Sequence, residues 1–383
     1  MNHPYLFLST AVAPIGSGRG GGVEVAIQTL AKGFALRGHR IRILAPAGSR
    51  LSDPLQAWNR EHGDPITLTT VDGSLQVAAQ HHPDRSREQA ERQLASIDHL
   101  PETSADASAL EKMLAIAWKE QDHVYRIVNF AYDRMPLRLT SRFTTPIHHL
   151  ISMGSLDREF DDELLRTEEQ VPGRLACHTH TQAATFPDPV RRAMQIVGLG
   201  LDLDRYRFRA TPGSGLLWLG RIAPEKGVHE AIEAAGQAGM PLRLAGPVDD
   251  PVYWETLCSQ WPDLSERWLG FLSMEELQRV TGESKAVLMT PKWEEAFGIV
   301  AIEALACGTP VLAYRRGGPS EIIRDGETGY LVPPDRPDLL AGAIQTIDGL
   351  SRDACRADAE DRWSMQAWSH RCETWLEHRR PNP

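Results

Sequence analysis

The chain has 383 residues, 42% of them hydrophobic and 24% charged, a composition ordinary for a globular protein and long enough for two domains. Asp plus Glu number 51 against 41 Lys plus Arg, and the net charge of −10 argues against nucleic acid or an anionic membrane surface as a partner held by bulk charge. Five cysteines, odd in number, widely spaced and without a C-x-x-C, fit reduced thiols in a cytoplasmic protein and speak against a disulfide frame or a zinc site.

The N-terminus, MNHPYLFLSTAVAP, lacks the basic start of a signal peptide, and no apolar run approaches the roughly 18 residues that span a bilayer, so no transmembrane segment is expected. Residues 5–10 (YLFLST) read as a first core strand. The stretch 14–24, PIGSGRGGGVE, follows, with G-x-G-x-x-G at Gly16, Gly18 and Gly21, the letter pattern of a dinucleotide loop. Val23, Ile27, Leu30 and Phe34 then fall on one helical face, Gly38 stops the helix, and residues 41–46 (IRILAP) resume as a strand. Such a strand–helix–strand unit implies a parallel sheet. Its second strand ends without the acid that a dinucleotide ribose needs, which weakens an NAD-dependent oxidoreductase reading. Arg37, His39, Arg40 and Arg42 read as one solvated face. Residues 79–110 form a long polar excursion, 113–160 return to mixed helix and strand, and 196–215 make a connector rich in glycine and charge.

A second series begins at 216. Strands are expected at 216–219, 242–245, 268–272, 286–290, 311–314 and 329–332, a set of six. Helices are expected over 228–238 and after the capping box Ser273-Met-Glu-Glu276. Residues 363–379 read as a Trp-rich amphipathic helix whose tryptophans pack. Strands alternating with helices in both halves place the chain in the α/β class, with two doubly wound domains.

Two constellations carry chemistry. In WLGRIAPEKG (218–227), Arg221 and Lys226 sit between a strand and a helix, where open parallel sheets bind ligands. Two cations beside a helix N-terminus suit a diphosphate; pairing with Glu225 is the alternative. In PKWEEAFGIVAIEALACG (291–308), the run from Phe297 to Gly308 is apolar except for Glu303. A helix apolar all round is buried, and a buried carboxylate needs donors: the hydroxyls of a sugar, or a core Arg or Lys. Glu295 precedes that helix, and Glu303 lies about 9 Å further in at ~1.5 Å per residue from Phe297. The two acids can grip different parts of one elongated ligand whose phosphates meet the helix N-terminus. Asp202-Leu-Asp204 mimics a metal motif but sits in the connector. His148, His149, His178 and His180 lack acid or Cys partners at zinc spacing, so no metal is expected.

The stretch WEEAFGIVAIEALACGTPVLAYRRGGPSEIIRDGETGYLV, with two acids separated by seven residues, Glu295 and Glu303, resembles the signature of the retaining glycosyltransferases of family 4. GRIAPEKG resembles that family's diphosphate loop, and GGGVEVAIQTLAKGFALRGHRIRILAP its N-terminal loop and helix. The resemblance covers nearly the whole chain. It implies a GT-B fold, two Rossmann-like doubly wound domains facing a cleft: residues 1–195 on the acceptor side, 196–360 binding the nucleotide sugar, and 361–383 a helix crossing back to the first domain.

The resemblance also implies roles. Arg221 and Lys226 would hold the donor diphosphate, Glu303 the ribose hydroxyls and Glu295 the donor sugar, so Glu295, Arg221 and Lys226 are the catalytic candidates. Backbone amides at Phe297, Gly298, Ile299 and Val300 would complete the donor cradle, with Gly20, Gly21 and Gly22 near the distal phosphate. Where many members of the family place a sugar-contacting histidine, this chain aligns Ser152, and His149 falls at a different, earlier histidine; Ser152 or the Met153–Gly154 backbone would replace the contact. That segment, with NFAYDRMPLRLT and STAVAPIGSGRGGGVE, is similar to a branch that glucosylates reduced pterins such as tetrahydrobiopterin from UDP-glucose. On that branch Asn129 and Asp133 join Ser152 and Met153 on the acceptor side, Asp133 accepting paired hydrogen bonds from an amino-pyrimidine edge; its other reading is a helix end or ion pair.

The expected reaction is therefore net-retaining transfer of a hexose, with glucose and UDP favoured, to a hydroxyl of a small acceptor. It would run without a metal or cofactor in the cytoplasm, with a small-molecule donor and acceptor as partners and no nucleic acid, peripheral membrane contact and oligomeric state being left open by the sequence. A lipid or saccharide acceptor is the nearest alternative. A non-catalytic sugar-nucleotide binder, a sugar-nucleotide epimerase and the NAD oxidoreductase are the rivals from other classes.

Overall fold

In a computed structural model, residues 3–18, 21–77, 85–86, 88–89, 91 and 106–377 are described. The chain forms two compact α/β units. The first comprises residues 1–178, 183–198 and 368–383, and the second 179–182 and 199–367. Most of the polar stretch 79–110 lies outside the described residues. Its end, Ser108, opens the helix Ala109–Glu120 with a capping box.

The first unit holds a seven-stranded sheet in the order β3-β2-β1-β4-β5-β6-β7. The strands are β1 (Tyr5–Leu8), β2 (Ile41–Pro46), β3 (Ile66–Val71), β4 (Arg126–Asn129), β5 (Ile147–Ile151), β6 (Leu175–Cys177) and β7 (Gln195–Ile196), and every pairing is parallel. All four residues of β1 are buried, as a central strand covered on both faces requires. The order reverses between β1 and β4, so the loops after these two strands flank a topological switch point, where doubly wound sheets bind ligands. The loop after β1 is the glycine-rich stretch, and it leads into the helix Gly22–Leu36.

The helix Met365–Glu377 carries Trp368 and Trp375, both buried, into the first unit. Glu377 accepts hydrogen bonds from Tyr5 and Tyr125 and pairs with Arg126, while Glu373 pairs with Arg37 and with His39. The basic run after the first helix is thus not simply a solvated face: two of its members anchor the last helix.

The second unit holds five parallel strands in the order β12-β11-β10-β8-β9: β8 (Leu216–Leu219), β9 (Leu242–Ala245), β10 (Ala286–Met289), β11 (Val311–Tyr314) and β12 (Gly329–Val332). The expected sixth strand at 268–272 is a correction. Only Trp268 bridges Leu244, because Gly270 turns the chain at φ +72° and spends its carbonyl on the Gly246 amide. The capping box at Ser273 forms as the sequence predicts and opens the helix Met274–Glu283. The switch point here falls between β8 and β10, and the loops after those two strands are GRIAPEKG and PKWEEAFG. No helix among the described residues is long and apolar enough to cross a membrane.

Candidate functional site

The loops after β8 and β10 are stitched together by backbone. The Lys292 amide donates to the Glu225 carbonyl at 2.8 Å, and the Thr290 hydroxyl donates to the Gly227 carbonyl at 2.8 Å. Gly227 sits at φ +65°, and a Cβ there would lie 2.0 Å from the Thr290 carbonyl oxygen, so both backbone conformation and space demand glycine. This stitching brings Lys226 to Glu295. Their Nζ and Oε2 are 2.5 Å apart, and both side chains are about one-fifth exposed. The ammonium also lies 4.7 Å from the centre of the Trp293 ring, and the Trp293 indole N–H donates to the same Glu295 oxygen at 3.1 Å. An acid and a base thus meet over an aromatic face, still open to water.

A pocket lies beside this pair, lined by Trp218, Gly220, Lys226, Thr290, Glu295 and the turn Gly298–Val300. Gly298, at φ +90°, precedes the helix Ile299–Ala306, whose first backbone N–H groups have no partner within the helix. The acid loop is held from the far side by the Gly317-Gly318 turn. The Gly318 amide donates to the Glu295 carbonyl at 2.7 Å, and a Cβ on Gly317 would overlap the Glu295 backbone. Phe297 is buried, with its ring edge-on to Trp363 at 5.5 Å. Lys226, Glu295, Gly298, Ile299 and Val300 therefore converge on one pocket, whose own charges are a cation, a carboxylate and the positive end of a helix.

Arg221 does not join them on the pocket wall. Its guanidinium pairs with Glu225 at 3.0 Å, the pairing that sequence offered as the alternative, and also with Asp249. Glu303 is buried in the helix about one turn behind the pocket rim, and the Tyr206 hydroxyl donates to it at 2.9 Å. Burial raises its pKa from 4.5 to about 7, against the lowering effects of the Tyr206 hydrogen bond and of Arg205. Sequence expected sugar hydroxyls, Arg or Lys as donors; the structure supplies a phenol from the connector. Tyr206 stands 97 positions away, so no spacing could have paired it with Glu303.

In the first unit, the glycine loop carries its own anion. Glu24 is buried, and its carboxylate accepts from the Gly16 amide at 2.6 Å, the Gly18 amide at 3.2 Å and the Ser17 hydroxyl at 3.1 Å. The first two glycines of the dinucleotide pattern thus serve an internal carboxylate. Gly21, at φ +60°, caps the following helix, and Gly22 is its first residue. Gly20 lies outside the described residues.

The acceptor-side candidates sit at the ends of β4 and β5. Asn129 bonds the Ala131 backbone on both sides of its amide and lies 3.2 Å from His149 Nδ1. Asp133 caps the helix Arg134–Leu139 through the Met135 amide at 2.7 Å, and its other oxygen accepts from Gln76 at 2.5 Å. Burial pushes its pKa up to about 6. The helix-end reading of Asp133 describes its place here, since both oxygens are engaged. Ser152 lies 3.4 Å from His178 Nε2, and Met153 beside it is half-buried. His178 Nδ1 lies 2.8 Å from the Gly198 carbonyl, so that nitrogen carries the proton and Nε2 accepts from Ser152. His149 is enclosed between Asn129 and the Thr140 hydroxyl, and burial lowers its pKa to about 3. No group of three or more His, Cys, Asp or Glu at metal-binding distance occurs among the described residues. Asp202, first of the D-x-D pair, precedes a single 3-10 turn, Leu203–Arg205.

Residues 214–357 match the family described as Glycosyl transferases group 1. The chain is 34% identical over 203 residues to the D-inositol 3-phosphate glycosyltransferase of Rhodococcus erythropolis, an alignment that covers 45% of each protein. It spans about half the length, or less, of the first curated relatives it matches. Among solved structures, the sucrose-phosphate synthase of Thermosynechococcus elongatus superposes with a TM-score of 0.73 at 17% identity over 98% of both chains. Anabaena HepE, solved in complex with UDP-glucose, superposes at 0.68 and 18% identity over 98% of this chain and 100% of that one. At such identities the likeness bears on the fold.

Proposed function

We propose, for a GT-B chain whose residues 214–357 form a group 1 glycosyltransferase domain, net-retaining transfer of glucose from UDP-glucose to a hydroxyl of a small acceptor, a reduced pterin such as tetrahydrobiopterin first among them. The observation that carries this reading is the convergence of Lys226 and Glu295 on the pocket at the start of the helix Ile299–Ala306. Departure of a nucleoside diphosphate builds negative charge on its oxygens. Lys226 and the backbone amides at 297–300 are the fixed positive groups that meet it. Arg221 adds to them by exchanging Glu225 or Asp249 for a phosphate oxygen.

Glu295, freed from Lys226 by the incoming phosphate, binds the hydroxyls of the donor sugar. Glu303 accepts from the ribose, in place of or beside Tyr206. With the charge met by these groups, the reaction needs no metal, and the donor's own phosphate oxygen takes the acceptor proton. In the first unit, the helix start at Gly21-Gly22 is the part of the glycine loop suited to a phosphate, because Gly16 and Gly18 already serve Glu24.

The donor is supported by HepE, which shares the fold and was solved with UDP-glucose. The acceptor rests on the similarity of residues 129–140 and 145–156 to the pterin-glucosylating branch. The name of the Rhodococcus relative favours a phosphorylated polyol as the second reading. The test is a donor screen. Thermal shifts with UDP-, GDP- and ADP-sugars come first, then mass spectrometry of products with pterin, inositol phosphate, lipid and sugar acceptors. We expect stabilisation by UDP-glucose and transfer that persists in EDTA. No stabilisation by any sugar nucleotide overturns the proposal, and a product with a sugar or inositol phosphate but none with a pterin reassigns the acceptor.

A further inference from the structure

The segment 179–182 follows β6 in sequence but packs with the second unit. Its first residue, Thr179, is buried, and its hydroxyl donates to the Ala296 carbonyl at 2.7 Å. Ala296 stands between Glu295 and Phe297, in the middle of the acid loop. The same hydroxyl accepts from the Gln182 amide at 3.0 Å and lies 3.1 Å from the Thr181 hydroxyl; because a carbonyl can only accept, the Thr179 proton points to Ala296 and Thr181 is the donor to Thr179. The next two amides, of His180 and Thr181, donate at 3.0 and 2.6 Å to the carboxylate of Glu321. Glu321 belongs to the short helix Pro319–Ile322, whose preceding residue, Gly318, bonds the Glu295 carbonyl. Two consecutive carbonyls of the acid loop are thus each held by a donor, one from Thr179 and one from Gly318, and Glu321 ties the two donor segments to each other.

We infer that Thr179 is a positioning residue for Glu295, with Glu321 holding Thr179 in place. The inference rests on the proposed role of Glu295 in binding the donor sugar. Two successive peptide units, each held at its carbonyl, have little freedom to turn. The Glu295 side chain then projects at a fixed angle toward the sugar subsite, while Lys226 is held separately by the Glu225–Lys292 and Gly227–Thr290 bonds. Loss of the Thr179 hydroxyl therefore loosens the sugar contact and leaves the diphosphate contact in place.

The experiment compares Thr179→Val with Thr179→Ser by calorimetry against UDP and against UDP-glucose, together with kcat and the KM for donor. Thr179→Val, nearly isosteric, is expected to leave the Kd for UDP within about twofold. Its Kd for UDP-glucose should rise roughly tenfold, as loss of one buried hydrogen bond near 1.4 kcal/mol predicts, and kcat should fall with it. Thr179→Ser restores both. Should the valine variant not fold, Glu321→Gln reads the same ratio, since the neutral amide accepts more weakly from the two backbone N–H groups. Weakening of UDP and UDP-glucose in equal proportion, or an unchanged affinity and kcat for UDP-glucose, overturns the inference while the functional reading stands. A wild-type protein that binds no sugar nucleotide removes that reading itself, an outcome seen before any variant is made.

Discussion

Lys226 and Glu295 illustrate how a charge pair serves a site that must later separate it. Each is about one-fifth exposed, so the pair is partly screened, and the Trp293 ring shares the ammonium. Lys226→Ala removes the nearest cation from the pocket. It should lower kcat/KM by on the order of 10²-fold while leaving the fold intact; steady-state kinetics and a melting curve on the same preparation check both halves.

Glu303 makes a prediction in pH. Its carboxyl, raised from 4.5 to about 7 by burial, holds a proton in the folded chain that the unfolded chain would release between those values. Its contribution to stability therefore declines as pH rises from 4.5 to 7. Ribose hydroxyls donate best to the ionised form, so UDP-glucose should bind more tightly as pH rises toward 7 and level off above. The slope below 7 should approach tenfold per pH unit and vanish in Glu303→Gln. Calorimetry from pH 5.5 to 8 decides it; a flat profile in the wild type refutes the ribose contact. At this scale the sequence disclosed the acids and cations themselves, because their type and position in an apolar run are visible. It did not disclose Tyr206, Asp249 or Thr179, whose partners lie 97, 28 and 117 residues away.

At the scale of elements, the second unit depends on how closely its loops approach. Gly227→Ala would set a methyl against the Thr290 carbonyl in a backbone conformation that L-residues rarely adopt. A loss above about 2 kcal/mol is expected, together with loss of UDP-glucose binding. Ser273→Ala, which removes a helix cap away from the pocket lining, should cost about 1 kcal/mol and leave binding unchanged. Urea titrations of both variants give the comparison. The periodic elements were legible in the sequence. The helix from Val228, the capping box at Ser273 and the strands β10 to β12 all carry local signals strong enough to stand alone. The run 268–272 had the composition of a strand, but Gly270 turns it after one bridge, and a positive φ is not visible in letters. The G-x-G-x-x-G pattern failed as a dinucleotide signal for a related reason: the buried acid that its first amides serve lies in the first turn of the next helix.

At the scale of the molecule, the two units respond to acid differently. His148, His149 and His178 are buried in the first unit and held neutral; burial lowers the last two to about 3 and 4, and Arg174 adds to the effect on the first two. Each favours the folded state fully above the ordinary value near 6.5, and that contribution is lost as pH falls from 6.5 toward the folded values. Glu303 in the second unit acts in the opposite sense over pH 4.5 to 7, as do Asp133, raised to about 6, and Asp161 in the first, where the three histidines outnumber these two acids. The first unit should therefore open first on acidification. Hydrogen exchange at pH 5 and at pH 7 checks this, with protection expected to fall in β4 to β6 before β8 to β11. Both sheets could be read from alternating strands and helices, and the return of the last helix was expected from the family resemblance; the transfer of 179–182 to the second unit could not be read, because it depends on which surface that short stretch meets.

That last helix also sets a clock. Tyr5, in the first strand, bonds Glu377, 372 residues later, and Trp368 and Trp375 fill the first unit beneath it. A ribosome adding about 5–20 residues per second needs on the order of ten to thirty seconds to pass from Leu199 to Trp368. Throughout that interval the first unit has all of its strands but not the helix that covers them. The nascent chain must keep an apolar face from its neighbours until the second unit has been made, and that waiting period is where a folding helper would matter most.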